Sequence, residues 1–465
     1  MIRNENPICI PDGMKAVMKK LKELDCEVYA FDSAVRELIN GGEPEEIELA
    51  CSLNCNAVED ALDGAVSHVD TKHFDIVMYI DADGRRYIIH SLIDGQPLNG
   101  VSLGFNSEFF KYLFEEVLTL GFKCDNLLLD SDGYVCDRYS GLKDTISRKV
   151  TTILPPEKAF EKKPVLILGA LELMVYRGYT IDAELKSAMF KKAYKLTELT
   201  QSFLSVMIPC LFAGNHTAEM LDEYFDIFAV CIPELMLLKN CPQNSPYHDY
   251  DVYGHTIECI RQIERLYDTD DWALKLVGLF HDIGKSSVRT TDVNGVDHFY
   301  NHASRSALIC ESVLKRWGLQ ESYIETIVNI VLYHDIELKP NEQRVMHQYR
   351  KYGKSVYRGI VNFRVCDLSA QNVDLIEDRL DKRSDVVAIL DNIKYQDDTI
   401  MTTNDLDISG HVLKELGLQG KQIGDMKIAL LNKVIDKEVI NDENELRALA
   451  YILMNTGEYM DSEIK

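Results

Sequence analysis

Residues Trp272–Lys285, reading WALKLVGLFHDIGK, decide how this chain is organised and what chemistry it carries. An apolar run of helical character ends on an adjacent His281-Asp282 pair, an imidazole and a carboxylate that can share one divalent cation. Of the chain's 12 histidines, seven (His248, His255, His281, His298, His302, His334 and His347) fall within one stretch of about a hundred residues. His255 opens a helical segment upstream (YGHTIECI), and Asp367 lies downstream in FRVCDLSAQ. Imidazole with carboxylate suits Mg²⁺, Mn²⁺, Ni²⁺, Co²⁺ or Fe²⁺, and the residues do not choose among them. His302 (FYNHASRSA) and His334 (VLYHDIEL) stand in helical contexts that can face the same centre. Lys285 follows the pair by one turn and can offset phosphate charge as a point donor. Arg305, one turn beyond His302, is a second candidate for that role. His298 and His347 read as ordinary polar positions, and His248 either closes the pocket or caps a helix.

Working outward, the 465 residues call for several modules. The first 150 or so hold β-rich runs at CEVYAF, EEIELAC, FDIVMYI, RRYIIHSL and NLLLDS. Asp83-Gly84 and Asp132-Gly133 supply turns between them, and helices are expected over Asp12–Leu24 and Glu108–Leu120. From Pro155-Pro156 onward helical periodicity takes over, with helices expected over Lys163–Arg177, Asp182–Ser205, Ala218–Phe228, His255–Tyr267 and Asp271–Phe280. Further helices are expected over Arg305–Trp317, Tyr323–Tyr333 and Asp374–Asn392, with two or three more in the tail around a turn at Gly417–Gly424. The fold class expected is multidomain α+β: a head with a small mixed sheet (1–150), an all-α neck (151–240), the histidine-rich domain (241–395) and a helical tail (396–465).

Composition is that of an ordinary globular protein, 46% hydrophobic and 27% charged. The start, MIRNENPICIPDGMK, lacks the apolar core of a leader peptide, and no apolar run is long enough to span a bilayer. The 12 scattered cysteines form no CxxC pair and read as reduced thiols, so a cytoplasmic location is expected. A net charge of −25 disfavours tight gripping of a nucleic-acid backbone, since that affinity rests on neutralising phosphates. Weak RNA binding through a local basic patch stays compatible with it. Oligomeric state is not legible.

Several strings resemble bacterial tRNA nucleotidyltransferases (CCA-adding enzymes) of the poly(A)-polymerase head type, in the subset with an HD domain. IPDGMKAV is similar to the family's opening helix, and VRELINGGEPEEIELA to its VRDxLLGxxPxDxDxAT. DRYSGLKD resembles D-x-x-G-G-x-x-D-L, and ILGALELMVYRGYTID resembles RxLRAxRFAxxxGFxID. QNSPYHDYDVYGHT and DISGHVLKELGLQGKQIG resemble the approach to the HD centre and the C-terminal turn. The resemblance implies a nucleotidyltransferase head with two metal-holding carboxylates and a phosphate-cradling glycine pair, together with an HD phosphohydrolase centre.

The head departs from that pattern at each chemical element. The glycine pair falls on Asp32 and Ser33, just before Arg36, and Asp32 would place a carboxylate where a triphosphate should lie. The D-x-D pair becomes Glu46 and Glu48, whose extra methylene displaces oxygens that Mg²⁺ holds in near-ideal geometry. Tyr87–Ser91 reads apolar where a third acid is due. The RRDFTxNA segment corresponds to residues 120–126 and keeps only Asn126, and the base-selecting E-D-x-x-R element lands on Lys162–Leu166. The expectation is an HD-type phosphohydrolase acting on a nucleotide or RNA phosphoester, carried on a scaffold with an inactive head. The alternatives are a working CCA-adding enzyme that uses Glu46 and Glu48, and a non-catalytic RNA- or nucleotide-binding protein.

Overall fold

The computed structural model describes the chain except residues 1, 4–5, 71–73, 93–112, 114–120, 245–249, 268–270, 372–384, 392–402, 404, 437 and 460–465. The expected helix Glu108–Leu120, most of Asp374–Asn392, and His248 lie outside the described residues. Two compact units emerge: residues 1–200 with 224–231, and residues 201–223 with 232–465.

The first unit is built on one mixed sheet. Its strands are β1 (Ile2–Arg3), β2 (Val28–Phe31), β3 (Glu46–Cys51), β4 (Val66–Asp70), β5 (Phe74–Ile80), β6 (Arg86–Leu92), β7 (Leu127–Leu129) and β8 (Val135–Asp137). They pair in the order β1-β8-β7-β2-β3-β6-β5-β4. Only β3 and β6 run parallel among these neighbours, with Glu48 opposite Ile88 and Ala50 opposite His90. All five β-rich runs of the sequence became strands, whereas β1, β4 and β8 escaped it because two- to five-residue edges carry little pattern. Helices α1 (Asp12–Lys22) and α2 (Ser33–Ile39) pack Met14, Val17, Met18, Leu21, Ala34, Val35 and Leu38 against the sheet residues Val28, Ile47, Leu49, Val77 and Ile89. Burial of such side chains contributes roughly 1.5–3 kcal/mol each.

Helical segments follow. The single helix expected over Asp182–Ser205 is three elements, Ala183–Lys192, a 3₁₀ stretch Ala193–Glu198, and Gln201–Phe212. Ala218–Phe228 likewise divides into Thr217–Glu223 and Phe225–Cys231. In both places the apolar spacing continues across the break, so periodicity alone could not show it.

The second unit carries six helices that matter for the site: α3 (Val252–Leu266), α4 (Trp272–Phe280), α5 (His302–Trp317), α6 (Glu321–Tyr333), α7 (Glu342–Tyr352) and α8 (Lys354–Ser369). Asp251 and Asp271 start α3 and α4 as N-caps, accepting from the backbone N–H groups of Gly254 and Leu274. The face of α3 formed by Val252, His255, Thr256, Cys259, Ile260 and Ile263 is buried, and α4 is buried almost all round from Leu274 to Phe280. α4 therefore runs through the centre of its domain and delivers His281-Asp282 into the interior. The tail forms a separate core from Leu413, Met426, Leu430, Leu446 and Leu453 on the helices Gly410–Glu415, Lys421–Ile435 and Glu443–Thr456. No helix among the described residues is long and apolar enough to cross a membrane.

Candidate metal centre

The HD loop is held in place by a close backbone approach. A Cβ on Gly284 would come 2.6 Å from the amide of Ser306 and 2.8 Å from the carbonyl of His302, so only glycine lets α5 start this near the loop. The Gly284 N–H donates to Ser306 Oγ at 2.9 Å. This contact sets His302 against Asp282.

Six side chains expected from the sequence converge here. His255, His281, Asp282, His334 and Asp367 are buried, and His302 is nearly so. Asp282 occupies the middle. Its Oδ2 lies 3.1 Å from His281 Nε2 and 3.9 Å from His255 Nε2. Its Oδ1 lies 3.3 Å from His302 Nε2 and 3.9 Å from His334 Nε2. Asp367 Oδ1 closes the far side, 3.1 Å from His255 Nε2. Two donor groups result, His255, Cys259, His281 and Asp367 on one side and Asp282, His302 and His334 on the other. The two oxygens of Asp282 face one group each.

The imidazoles are aimed by a repeated local device. His281, His302 and His334 each donate Nδ1–H to the carbonyl three residues upstream, Gly278, Phe299 and Val331, at 2.8, 2.9 and 2.7 Å. His255 Nδ1 faces the Ala370 carbonyl at 3.4 Å. A carbonyl can only accept, so each bond fixes the tautomer and leaves the Nε2 lone pair pointing inward, as metal-ligating histidines require. His302 Nε2 and His334 Nε2 then face each other at 3.2 Å. Buried His281 Nε2 has no hydrogen-bonding partner among the described residues, with Asp282 Oδ2 the nearby acid at 3.1 Å. Lone pairs turned on one another and on carboxylates repel unless a positive charge sits among them. Divalent cations would satisfy the whole set, and the residues present fit that role.

Taken by themselves, the buried groups of the centre shift one another in opposite directions. Burial opposes ionisation of Asp282, but His281 and Lys285 outweigh it and hold the carboxyl well below its usual range. Asp367 is held low in the same way, burial being overcome by Arg364 and His255. His281 is raised, because Asp282 outweighs the desolvation of its cation. Burial and the neighbouring His281 push His334 down to about 3, so it stays a neutral donor.

Lys285 is less available than expected. Its Nζ donates to Gln243 Oε1 at 2.6 Å and lies 2.7 Å from Asp282 Oδ2, above the Phe299 ring. Arg305 is exposed beside Gly284. His298 pairs with Asp292 and stacks on Tyr300, and His347 pairs with Asp436, so neither joins the centre. Gln243, Cys259, Arg364 and Gln371 were not read from the sequence as site residues. Arg364 Nη1 donates to Asp367 Oδ2 at 2.6 Å, and Gln371 Nε2 reaches Asp367 Oδ1 at 3.3 Å. The i,i+3 spacing of Arg364 and Asp367 was the available signal.

In the first unit, Asp32 adopts φ 59° and ψ −141°, a backbone conformation natural to glycine. Its carboxyl is pushed up to about 6 by burial and by Glu48, with Arg36 opposing. Ser33 begins α2. Arg36 is tied to Asp125, Glu46 is exposed near Arg86 at 3.7 Å, and Glu48 Oε2 meets His90 Nε2 at 3.1 Å. Ile88 stands opposite Glu48 in the register, and the side chain that reaches the Glu48 carboxylate comes from His90, two residues on. Leu166, in the base-selecting position, is buried.

Comparison with known proteins is consistent across the chain. Residues 252–391 match the HD domain family. A CC-adding tRNA nucleotidyltransferase of Thermus thermophilus is 22% identical over 336 residues, covering 70% of this chain and 71% of that protein. A CCA-adding enzyme of Bacillus pumilus is 20% identical over 200 residues, 43% of this chain and 49% of that one. The match to several further CCA-adding enzymes spans only about half of their length. A solved CCA-adding enzyme of Bacillus stearothermophilus in complex with CTP superposes with a TM-score of 0.61 at 16% identity, covering 96% of this chain and 98% of that one. The fold is that of the CCA-adding enzymes.

Proposed function

We propose that this HD-domain relative of the CCA-adding enzymes is a divalent-metal-dependent phosphohydrolase or phosphodiesterase, acting on a nucleotide or an RNA phosphoester. The observation that carries the reading is the inward set of Nε2 lone pairs, His281 Nε2 unpartnered among them, gathered around the two oxygens of Asp282. Mg²⁺, Mn²⁺, Ni²⁺, Co²⁺ or Fe²⁺ held there would supply Lewis acidity toward a phosphoryl oxygen and acidify water at neutral pH. The chain's own residues do the rest. Carbonyls of Gly278, Phe299, Val331 and Ala370 fix the imidazoles, Arg364 and Gln371 orient Asp367, and Lys285 holds Asp282. Arg305, exposed beside Gly284, would then meet an incoming phosphate.

The test is Mn²⁺- or Co²⁺-dependent release of nitrophenol from bis-p-nitrophenyl phosphate, followed by assays on cyclic nucleotides and RNA ends. His281→Ala and Asp282→Ala should each lose more than about 100-fold, since even outer partners of metal ligands cost 10–100-fold. Activity that survives both substitutions, or needs no metal, overturns the reading.

A second reading has support in the fold shared with CCA-adding enzymes: nucleotidyl transfer to RNA through Glu46 and Glu48. Against it stand the Asp32 carboxylate, the Arg36–Asp125 pair and the Glu48–His90 contact, which occupy the groups a triphosphate and its metals would use. Incorporation of labelled CTP or ATP into tRNA lacking its CCA end would establish this second reading. Binding of RNA or nucleotide with silence in both assays would leave a non-catalytic binding protein.

A further inference from the structure

His255 and Cys259 are one turn apart on α3, so both project from the same face into the centre. Cys259 is fully buried, and its Sγ lies 3.4 Å from His255 Nε2. Its sulfur, one ring nitrogen each of His255 and His281, and an Asp367 oxygen all lie within 4.8 Å of one another. Ligands held at about 2.3 Å (sulfur) and 2.0–2.1 Å (nitrogen) on a tetrahedral cation stand about 3.6 Å apart, close to the 3.4 Å between Cys259 Sγ and His255 Nε2. An independent feature points into the same spot: His281 Nε2 is buried and unpartnered.

We infer that Cys259 is a thiolate ligand of the cation on the His255–His281–Asp367 side. This rests on the reading of the HD centre as a metal site and deepens it. The side holding Asp282, His302 and His334 offers only nitrogen and oxygen. The two positions therefore differ in softness. The sulfur-bearing one favours Zn²⁺, Fe²⁺ or Co²⁺ over Mg²⁺ and Ca²⁺, while the other accepts harder ions. Binding converts the thiol to thiolate and releases its proton to solvent.

The test uses the full-length, metal-stripped, reduced protein and Co²⁺ alone, with equilibrium dialysis to count bound ions. At one equivalent, the wild-type protein should show a near-ultraviolet sulfur-to-cobalt charge-transfer band, and X-ray absorption should find one sulfur neighbour at about 2.3 Å. Cys259→Ser should lose the band while still binding Co²⁺ more weakly, and Cys9→Ser, at an exposed thiol, should keep it. Co²⁺ bound by the wild type with nitrogen and oxygen neighbours only, or a band retained in Cys259→Ser, overturns this inference and leaves the metal site standing. No Co²⁺ bound at all removes both. The wild-type spectrum decides by itself, so a misfolded variant cannot rescue the idea.

Discussion

At Arg364 one guanidinium holds a buried carboxylate in register, with Asp367 at 2.6 Å and Asp335 at 3.3 Å. Arg364→Ala should weaken Co²⁺ or Mn²⁺ binding by about 10–100-fold in equilibrium dialysis, with Arg364→Lys recovering part of the loss. Unchanged affinity would show that Asp367 needs no orienting partner. Asp32 presents the opposite case, a residue at odds with its backbone. Its φ of 59° and ψ of −141° cost on the order of 1–3 kcal/mol for a non-glycine residue. Glycine recovers this less roughly 0.5–1 kcal/mol of backbone entropy. Asp32→Gly should therefore stabilise the protein by about 1 kcal/mol, read as a rise in unfolding midpoint by chemical denaturation. The carboxyl adds a pH dependence. With its pKa raised from 3.8 to about 6, the native state binds more protons than the unfolded chain across that window. Stability from Asp32 is complete below 3.8 and drains away as pH rises through about 6. Asp32→Asn should flatten that slope in denaturant titrations at stepped pH, and an unaltered slope would place the titration elsewhere.

Between elements, the decisive contact is that of the HD loop with the first turn of α5. Gly284→Ala would drive a methyl into the Ser306 amide and the His302 carbonyl. Overpacking against backbone costs roughly 1–3 kcal/mol. Because His302 sits at that turn, the loop and the imidazole should move together. The variant should unfold at lower denaturant and also lose affinity for one of two bound ions, whereas full affinity would mean that α5 yields without shifting His302. Helix starts show both what local sequence does well and where it slips. Asp271 caps α4 where that helix was expected to begin, whereas α3 starts at Val252 behind its cap Asp251, three residues before the expected start at His255. Asp182–Ser205 shows the limit, since its breaks leave the apolar spacing intact.

Over the whole molecule, the proposed metal centre predicts that stability depends on bound cations, since buried acids and imidazoles gather there in a chain of net charge −25. A ligand that binds only the folded state stabilises it by about 2.7 kcal/mol at 100 times its Kd. Dialysis against a chelator should therefore lower the calorimetric unfolding temperature, and Mn²⁺ or Co²⁺ should restore it in the wild type but not in His281→Ala. Equal midpoints with and without metal would show that the centre holds none. The two compact units leave their polar clusters in contrasting states of pairing. In the first, Glu48 is matched by His90 and Arg36 by Asp125. In the second, the lone pairs of His281, His302 and His334 are left turned toward a common point.

Composition and local pattern were enough to set out a strand-bearing head followed by helices and to single out the His281-Asp282 pair, while the resemblance to HD proteins gathered His255, His302, His334 and Asp367 around it. Periodicity and residue chemistry are local, and the remaining ligands were read by analogy. Cys259 and Gln243 became visible only in three dimensions, whereas the glycine-like backbone of Asp32 lies where the resemblance puts a glycine. A cysteine four residues after a histidine looks like any small buried side chain until Asp367, more than a hundred residues away, is folded against it. Lys285 likewise reads as a free cation along the chain, and only folding brings Gln243 and Asp282 to its ammonium group. Which donor meets which is set by helix packing, because the chain's ends of each contact are remote in sequence and adjacent only in the folded core.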